Sequence, residues 1–224
     1  MHLPTAFWLR AQSLVRRHGR AAFLKDLKGC PTIVDVGCGN NSPVITRKLR
    51  PDCTYIGVDV ADYNQSVPPS TAANRYLLCA PEQFVSTLCE LAGSADAVIS
   101  SHNLEHCLEP VAVLKAMSRI LRPSGRIYLS FPCEESVHFP HRRGTLNFYD
   151  DSTHREVPRL EMVLDTLSEE GVQPVYVYRR YRPVMLFLLG LMLEPLSAIL
   201  GRCMPGGTTW ALYGFETVVW AQKV

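Results

Sequence analysis

Two acids and two glycines are spaced so that they could hold a nucleoside. Asp35 ends an apolar run in the string IVDVGCGNNS, and Gly37 and Gly39 follow it. A glycine turn between a strand and a helix lets the backbone approach a ligand, because no Cβ atom intrudes. Asp59 ends the next apolar run, TYIGVD, 20 residues beyond Gly39. That distance is typical of a strand–helix–strand return, and a carboxylate there can accept both hydroxyl hydrogen bonds of a ribose.

The same turn helps to distinguish two classes of cofactor. A dinucleotide site needs a third glycine three residues after the second, where this chain has Ser42. An acid two residues before the first glycine suits an ammonium group better than a pyrophosphate. An amino-acid-bearing nucleoside therefore fits both acids, with its ammonium group near Asp35 and its ribose on Asp59. A nicotinamide-dependent oxidoreductase stays open as an alternative function.

Histidines in two polar segments are candidates for proton transfer, for which histidine is suited near neutral pH. His102 follows the strand pattern ADAVISS, and we predict that it faces the substrate. His154 is the second candidate base, with Asp150 or Asp151 able to orient it. His106, in the string LEH, is predicted to pack against a helix.

The chain shows no spacing typical of a metal site. Its eight cysteines form no CxxC pair, and we expect them to be reduced thiols in a cytosolic chain. Glu134, Glu135, His138 and His141 could supply ligands, but their spacing fits no common helix or ribbon site. We therefore predict no metal centre.

The elements that must position these residues alternate between strand and helix. Five apolar strand patterns are separated by helical or loop segments, which predicts a doubly wound, mostly parallel α/β sheet with helices on both faces. Two further strand patterns close the chain and bring the number to seven. The patterns lie near residues 33–35, 54–59, 75–79, 95–101, 126–131, 174–180 and 215–222.

Composition and charge restrict the class of protein. With 224 residues, of which 47% are hydrophobic, the chain is most simply a single domain over residues 1–224. A net charge of +2 is too small to indicate nucleic-acid binding. No signal-peptide pattern occurs, and no apolar run reaches the roughly 18 residues of a membrane-spanning helix. We expect a cytoplasmic protein.

Three segments depart from the strand–helix order. Residues 1–28 carry an amphipathic pattern with a basic face, which predicts a helix over about residues 5–27 that covers the fold or contacts an anionic membrane. Residues 132–157 are a polar loop whose length favours a substrate-binding role. Residues 181–213 insert an apolar stretch, interrupted at 194–195, between the last two strands. This insert is either a buried lid or an interfacial segment at a membrane.

Four strings together resemble the class I S-adenosylmethionine-dependent methyltransferases of type 11. They are VDVGCGNNS, the acid of YIGVD, DAVISSHNLEH and LRPSGRIYLSFP, in that order, and the resemblance covers about residues 30–180. It implies a Rossmann-like fold with an antiparallel last strand and S-adenosylmethionine as cofactor. The strings FPCEESVHFPHRRGTLNFYDDSTH and TWALYGFETVVWAQK are similar to a bacterial methyltransferase group linked to surface-polysaccharide gene clusters.

Carried onto this sequence, the resemblance implies a set of cofactor-binding residues. The set is Asp35, Gly37, Gly39, Asn41, Asp59, Ala80 and Ser100. Asn41 stands where many members have a third glycine, and asparagine tolerates the left-handed conformation. Ala80 replaces the acid that often contacts adenine, so backbone groups are expected there. Ser100, at the end of the fourth strand, would border the methyl group.

The expected reaction is methyl transfer to a hydroxyl of a small molecule or saccharide, with a lipid-linked acceptor at the cytoplasmic membrane face as one version. The enzyme mainly supplies proximity and alignment, which contribute about 7–11 kcal/mol. A hydroxyl acceptor also needs a group that accepts its proton. The alternative is a cofactor-binding module without catalysis.

Overall fold

Seven strands form one sheet in the computed structural model, which describes residues 15–224. The strands are β1 (Thr32–Val36), β2 (Thr54–Asp59), β3 (Arg75–Leu78), β4 (Ala95–Ser101), β5 (Leu121–Pro132), β6 (Val172–Tyr178) and β7 (Glu216–Lys223). Their order is β3-β2-β1-β4-β5-β7-β6, and β7 alone runs antiparallel to its neighbours. The predicted fold class, including the antiparallel last strand, is confirmed.

Helices cover both faces of the sheet. They are α1 (Arg20–Asp26), α2 (Ser42–Leu49), α3 (Phe84–Cys89), α4 (Pro110–Ile120), α5 (Leu160–Glu169), α6 (Val184–Leu200) and α7 (Thr208–Tyr213). Alternate residues of a strand point to opposite faces. Val34 and Val36 therefore pack in the core that contains α3, α4 and α5, whereas Ile33 packs in the core that contains Phe23 and Leu24 of α1.

The strand order reverses direction between β1 and β4, which are hydrogen-bonded neighbours. In open α/β sheets, ligands bind beyond the carboxyl ends of the strands at such a reversal. The glycine turn follows β1, Asp59 ends β2 and His102 follows β4. The topology therefore brings the three predicted site segments to one edge of the sheet.

The N-terminal helix differs from its prediction. Residues 1–14 of the predicted helix lie outside the described residues. In the described part, His18 has a positive φ of 65° and Gly19 is extended, so α1 begins only at Arg20. The chain turns at residues 16–19 instead of continuing one long helix.

The predicted interruption at residues 194–195 is wrong. Helix α6 continues from Val184 to Leu200 with Pro195 inside it. Proline lacks the N–H that would bond the carbonyl four residues earlier, here that of Leu191. The Leu191 side chain is 57% exposed, so this turn of the helix is open to solvent. Within residues 15–224, no helix has both the length and the hydrophobicity to cross a membrane.

Strand β5 is longer than the predicted 126–131. Residues 122–125, which precede the predicted strand, form an irregularity in the pairing with β4. Leu121 pairs with Ala95, and pairing resumes between Arg126 and Ala97. The extra residues are accommodated by a local bulge.

Candidate active site

Both glycines of the turn after β1 lie where a side chain would collide with neighbours. Gly37 has φ +74°, and a Cβ atom there would lie 2.5 Å from Oδ1 of Asn103. A Cβ atom on Gly39 would lie 3.1 Å from Cδ1 of Tyr63. The close approach of Asn103 and the positive φ require glycine at position 37, whereas at position 39 the Tyr63 side chain would have to shift by a few tenths of an ångström.

Asn41 holds the turn against the loop that follows β2. It adopts the left-handed conformation (φ 61°, ψ 21°) that was expected where relatives have glycine. Its Oδ1 accepts hydrogen bonds of 2.6 Å from both the backbone N–H and the hydroxyl of Ser66. The backbone N–H of Asn40 donates to the carbonyl of Tyr63. The loop over residues 61–66 therefore closes over the turn.

Asp59 is buried at the carboxyl end of β2. Burial raises the pKa of its carboxyl group, and hydrogen bonds from the backbone N–H groups of Val60, Ala61 and Gly39 oppose that rise. The N–H of Val60 lies 2.7 Å from Oδ1. These donors fix the carboxylate beside the glycine turn, as a ribose acceptor requires.

Asp35 belongs to a buried polar cluster, with 1% of its surface exposed. Its Oδ2 accepts hydrogen bonds from Nη2 of Arg20 (2.9 Å), from the hydroxyl of Tyr55 (2.6 Å) and from the hydroxyl of Ser42. The structure therefore places Asp35 as the centre of the cluster below the turn. Its contact with a ligand ammonium group stays a prediction.

Arg20 is a site residue that the sequence reasoning missed. Its Nη2 also lies 2.6 Å from Oγ1 of Thr46 and within hydrogen-bonding distance of Ser42. Its Nε is buried and has no partner among the residues that the structure describes. The sequence shows Arg20 only as part of a basic face. No signal there distinguishes it from Arg16 or Arg17.

A cleft of about 180 Å³ opens at the carboxyl ends of β2, β3 and β4. Residues that line it include Val60, Pro81, Glu82, Asn103, His106 and Arg155. Ala80 immediately precedes Pro81, and its carbonyl accepts the N–H of Gln83. Ser100 is buried, and its hydroxyl donates to the carbonyl of Val36, which ties β4 to β1. The predicted cofactor residues are thus brought to one region around the cleft and the turn.

His102 is held between two carboxylates. Its Nδ1 lies 3.1 Å from Oε1 of Glu105, and its Nε2 lies 3.1 Å from Oε1 of Glu216. Burial lowers the pKa of His102, but the two carboxylates outweigh it and raise the pKa to about 10. The ring also packs against Trp210 and Phe215. Both nitrogens carry protons at neutral pH, so this geometry does not suit the proton-accepting role predicted for His102.

His154 has one nitrogen free of such a partner. Its Nδ1 donates to the carbonyl of Phe148 at 2.6 Å, which leaves the lone pair on Nε2. Oδ2 of Asp151 lies 4.0 Å from Nε2, whereas Asp150 accepts hydrogen bonds from His141 and from the backbone N–H groups of residues 142, 146 and 147. The Phe148 carbonyl, and not Asp150, orients the ring.

His106 was predicted to pack against a helix, but it lines the cleft. Its ring lies 4.9 Å from that of His154, measured between centroids. Two of the four residues first considered as metal ligands have other partners. Glu134 accepts from the N–H of Leu160 and from Arg179, and His141 pairs with Asp150.

Residues 34–129 match the family described as "Methyltransferase domain". They form a methyltransferase domain. The cofactor of this domain is S-adenosylmethionine, and the residues present fit it. The turn around Gly37 leaves no room for a Cβ atom, a buried carboxylate follows β2, and a cleft adjoins both. The resemblance to the type 11 methyltransferases is confirmed, whereas the similarity to a group linked to surface-polysaccharide gene clusters stays a prediction.

Curated relatives of the methyltransferase domain share about a third of its residues or fewer. The human mitochondrial ubiquinone biosynthesis O-methyltransferase is 29% identical over 107 residues, which cover 44% of this chain and 28% of that protein. The ubiquinone biosynthesis O-methyltransferase of Nitrosococcus oceani is 33% identical over 101 residues, covering 44% and 42%. The chain thus spans less than half the length of these relatives.

Solved structures share the fold across almost the whole chain. An S-adenosylmethionine-dependent methyltransferase from Mesorhizobium loti aligns over 98% of both chains, with a TM-score of 0.59 and 17% identity. The geranyl diphosphate C-methyltransferase of Streptomyces coelicolor, solved with Mg²⁺, geranyl diphosphate and S-adenosyl-L-homocysteine, covers 100% of this chain and 85% of its own. Its TM-score is 0.60 at 16% identity, so the likeness is one of fold.

Proposed function

We propose that the protein transfers the methyl group of S-adenosylmethionine to a hydroxyl oxygen of a small-molecule or saccharide acceptor. One observation carries the proposal. Inside a methyltransferase domain, a turn without room for Cβ atoms, a buried carboxylate and an adjoining cleft meet at one sheet edge. That edge is where this topology binds ligands.

We assign the two ends of the cofactor to two groups of residues. The backbone around Gly37 and Gly39 would hold the methionine part, with Asn41 fixing the turn. The carboxylate of Asp59 would accept the ribose hydroxyls, and backbone groups at Ala80 would meet the adenine. Ser100 fixes the end of β4 beside them through its bond to β1.

Arg20 extends this assignment. Its guanidinium lies against Asp35 and Ser42, at the start of α2 and next to the turn. A carboxylate is the partner that a guanidinium binds most strongly. We infer that Arg20 binds the carboxylate of the methionine part and that Asp35 is its positioning residue, while the ammonium group lies near the same cluster.

The cofactor supplies a methyl group on a sulfonium, which is a good leaving group. The chain must therefore align the acceptor and manage the proton of its hydroxyl. We place that second task at the cluster of His106 and His154 beside Asp151, because His106 lines the cleft and the His154 ring lies 4.9 Å from it. His102, protonated between its carboxylates, is a fixed cation that keeps the β4 end in place.

Oxygen is the favoured acceptor atom because the curated relatives are named O-methyltransferases. A lipid-linked acceptor is supported by α6, on which Val184, Met185, Leu188, Met192 and Ile199 are half exposed or more. Arg182 lies near the start of this helix. Beyond its end, the backbones of Arg143 and Arg202 form an isolated β-bridge, and all three arginines are exposed. An apolar helix flanked by cations suits an anionic membrane surface. We propose a cytoplasmic protein that binds the inner membrane face through α6.

Calorimetry followed by a transfer screen tests the proposal. The full chain should bind S-adenosylmethionine, and methyl-labelled cofactor should modify at least one of three acceptor classes: sugar nucleotides, lipid-linked saccharides or phenols. NMR of the product should show the methyl group on oxygen. Tight binding of NAD(H) without S-adenosylmethionine binding would favour an oxidoreductase. Cofactor binding without transfer to any acceptor class would favour a non-catalytic module.

A further inference from the structure

Three ligand-type side chains converge beside the cleft. A carboxylate oxygen of Glu105, a ring nitrogen of His106 and a ring nitrogen of His154 lie within 4.8 Å of one another. Two come from the turn after β4, and the third comes from the loop over residues 132–157. We propose that Glu105, His106 and His154 bind a divalent metal ion.

The Glu105 side chain is fully buried, and one of its two carboxylate oxygens is unused. Oε1 accepts a hydrogen bond from His102, whereas Oε2 has no contact with solvent and no hydrogen-bond partner within residues 15–224. A buried carboxylate oxygen without a partner is costly and calls for an explanation. A cation bound at this oxygen removes that cost.

Hydrogen bonds set both histidines in the tautomer that a metal requires. Nδ1 of His106 faces the carbonyl oxygen of Thr153 (3.3 Å) and its hydroxyl oxygen (3.0 Å), and that hydroxyl donates to Asp151 at 2.6 Å. Nδ1 of His106 must therefore be the donor. Nδ1 of His154 likewise donates to the Phe148 carbonyl. In both rings Nε2 keeps its lone pair, and such outer partners typically orient metal-binding histidines.

The donor set indicates the class of metal. Two imidazole nitrogens and one carboxylate oxygen suit Zn²⁺, Fe²⁺, Mn²⁺ or Co²⁺ and leave coordination positions open. Mg²⁺ and Ca²⁺ prefer oxygen ligands throughout. Asp151, whose Oδ2 lies 4.0 Å from Nε2 of His154, adds negative charge beside the site.

The role of the ion rests on the proposed function. His106 also lines the cleft, so a cation there would border the proposed cofactor and acceptor site. A cation lowers the pKa of a hydroxyl that it contacts. The acceptor proton then passes to solvent, the freed oxygen electron pair forms the new C–O bond, and the electrons of the broken S–C bond stay on sulfur. The ion would thus perform the proton removal that we place at this cluster.

Metal titration of the full chain tests the site. Mn²⁺ and Co²⁺ are the probes, because the eight free cysteines attract Zn²⁺ more strongly. After treatment with a chelator, the chain should bind one ion, measured by calorimetry and by metal analysis of the desalted protein. His106→Gln and His154→Gln should each weaken binding at least about tenfold, and Thr153→Val, which alters an outer partner, about tenfold. Wild-type protein that binds neither ion would overturn the proposal.

The matched control is His141→Gln, which removes an exposed histidine of the same loop that pairs with Asp150. This variant should bind the ion as wild type does, and equal weakening would contradict the site. Because His154 is buried, circular dichroism and calorimetry with S-adenosylmethionine are recorded on the same samples. Cofactor binding without metal binding would overturn the metal site alone. Metal binding without cofactor binding would contradict the proposed function alone.

Discussion

His102 and His154 show that the neighbours of a histidine decide its chemistry. In the sequence both are candidate bases, His102 as the first choice and His154 as the second. The structure gives His102 two carboxylates and gives His154 a backbone carbonyl. One ring therefore carries protons on both nitrogens, whereas the other needs a proton only on the Nδ1 that donates to this carbonyl. Glu216, which decides the state of His102, is 114 residues away in sequence, and no local pattern reveals it.

Asp59→Asn is expected to weaken S-adenosylmethionine binding. Hydrogen bonds to a charged acceptor contribute about 1.5–3 kcal/mol, which corresponds to a loss of affinity of about 10- to 150-fold. Calorimetry measures the change, and Glu90→Gln is the control, because Glu90 is exposed and follows α3 away from the turn. Equal affinity of Asp59→Asn and wild type would exclude Asp59 as the ribose acceptor.

His102→Gln is expected to lower stability in a pH-dependent way. The folded state raises the pKa of His102 to about 10, so its stabilisation is complete below the ordinary histidine pKa of about 6.5 and is lost as the pH rises towards 10. At about pH 6.5 the free energy of unfolding of the variant should be about 2 kcal/mol lower than that of wild type. This difference should become smaller as the pH is raised towards 10. Urea unfolding at several pH values measures it.

The exposed residue His138 supplies the control for this experiment. His138→Gln should leave the free energy of unfolding close to that of wild type throughout the same pH range. A deficit for His102→Gln that stays constant with pH would contradict the charged state assigned to His102.

Helices α6 and α7 pack closely against each other at Gly190. A Cβ atom on Gly190 would collide with the carbonyl oxygen of Thr208 and would lie 2.9 Å from Cβ of Leu212. Gly190→Ala is therefore expected to destabilise the fold by about 1–3 kcal/mol. Urea unfolding checks this value against Leu191→Ala, a change at an exposed neighbour that should have an effect within about 0.5 kcal/mol.

Element types were predictable from periodicity, whereas details that depend on neighbours were not. Strands β2 and β4 have the predicted bounds because their apolar patterns end in polar residues at the sheet edge. The continuity of α6 through Pro195 and the bulge in β5 depend on solvent exposure and on strand pairing. Neither property is visible in a short window of sequence.

The exposed apolar surface of α6 governs how the whole molecule is expected to meet a membrane. The full chain should sediment with anionic phosphatidylglycerol vesicles and much less with neutral phosphatidylcholine vesicles, and added salt should weaken binding. Met192→Glu and Ile199→Glu should reduce the bound fraction, since these side chains are 79% and 82% exposed.

The edge strand β6 offers a matched control for the vesicle experiment. Val175→Glu changes an exposed apolar residue away from α6 and should bind vesicles as wild type does. If wild type binds no anionic vesicles at low salt, or if Val175→Glu loses binding equally, α6 is not the membrane contact. The cofactor assignment would be unaffected by that result.

Strand β7 leaves the ribosome after β6, yet it occupies an interior place in the sheet between β5 and β6. The carboxylate of its first residue, Glu216, contacts Nε2 of His102, which directly follows β4. A nascent chain that has emerged only as far as α7 therefore lacks both an inner strand and the Glu216 carboxylate that contacts His102. Pairings between such distant segments form slowly during folding. The synthesis of β7 thus decides when this edge of the sheet is complete, and a chain terminated before β7 would expose β5 as an open edge prone to aggregation.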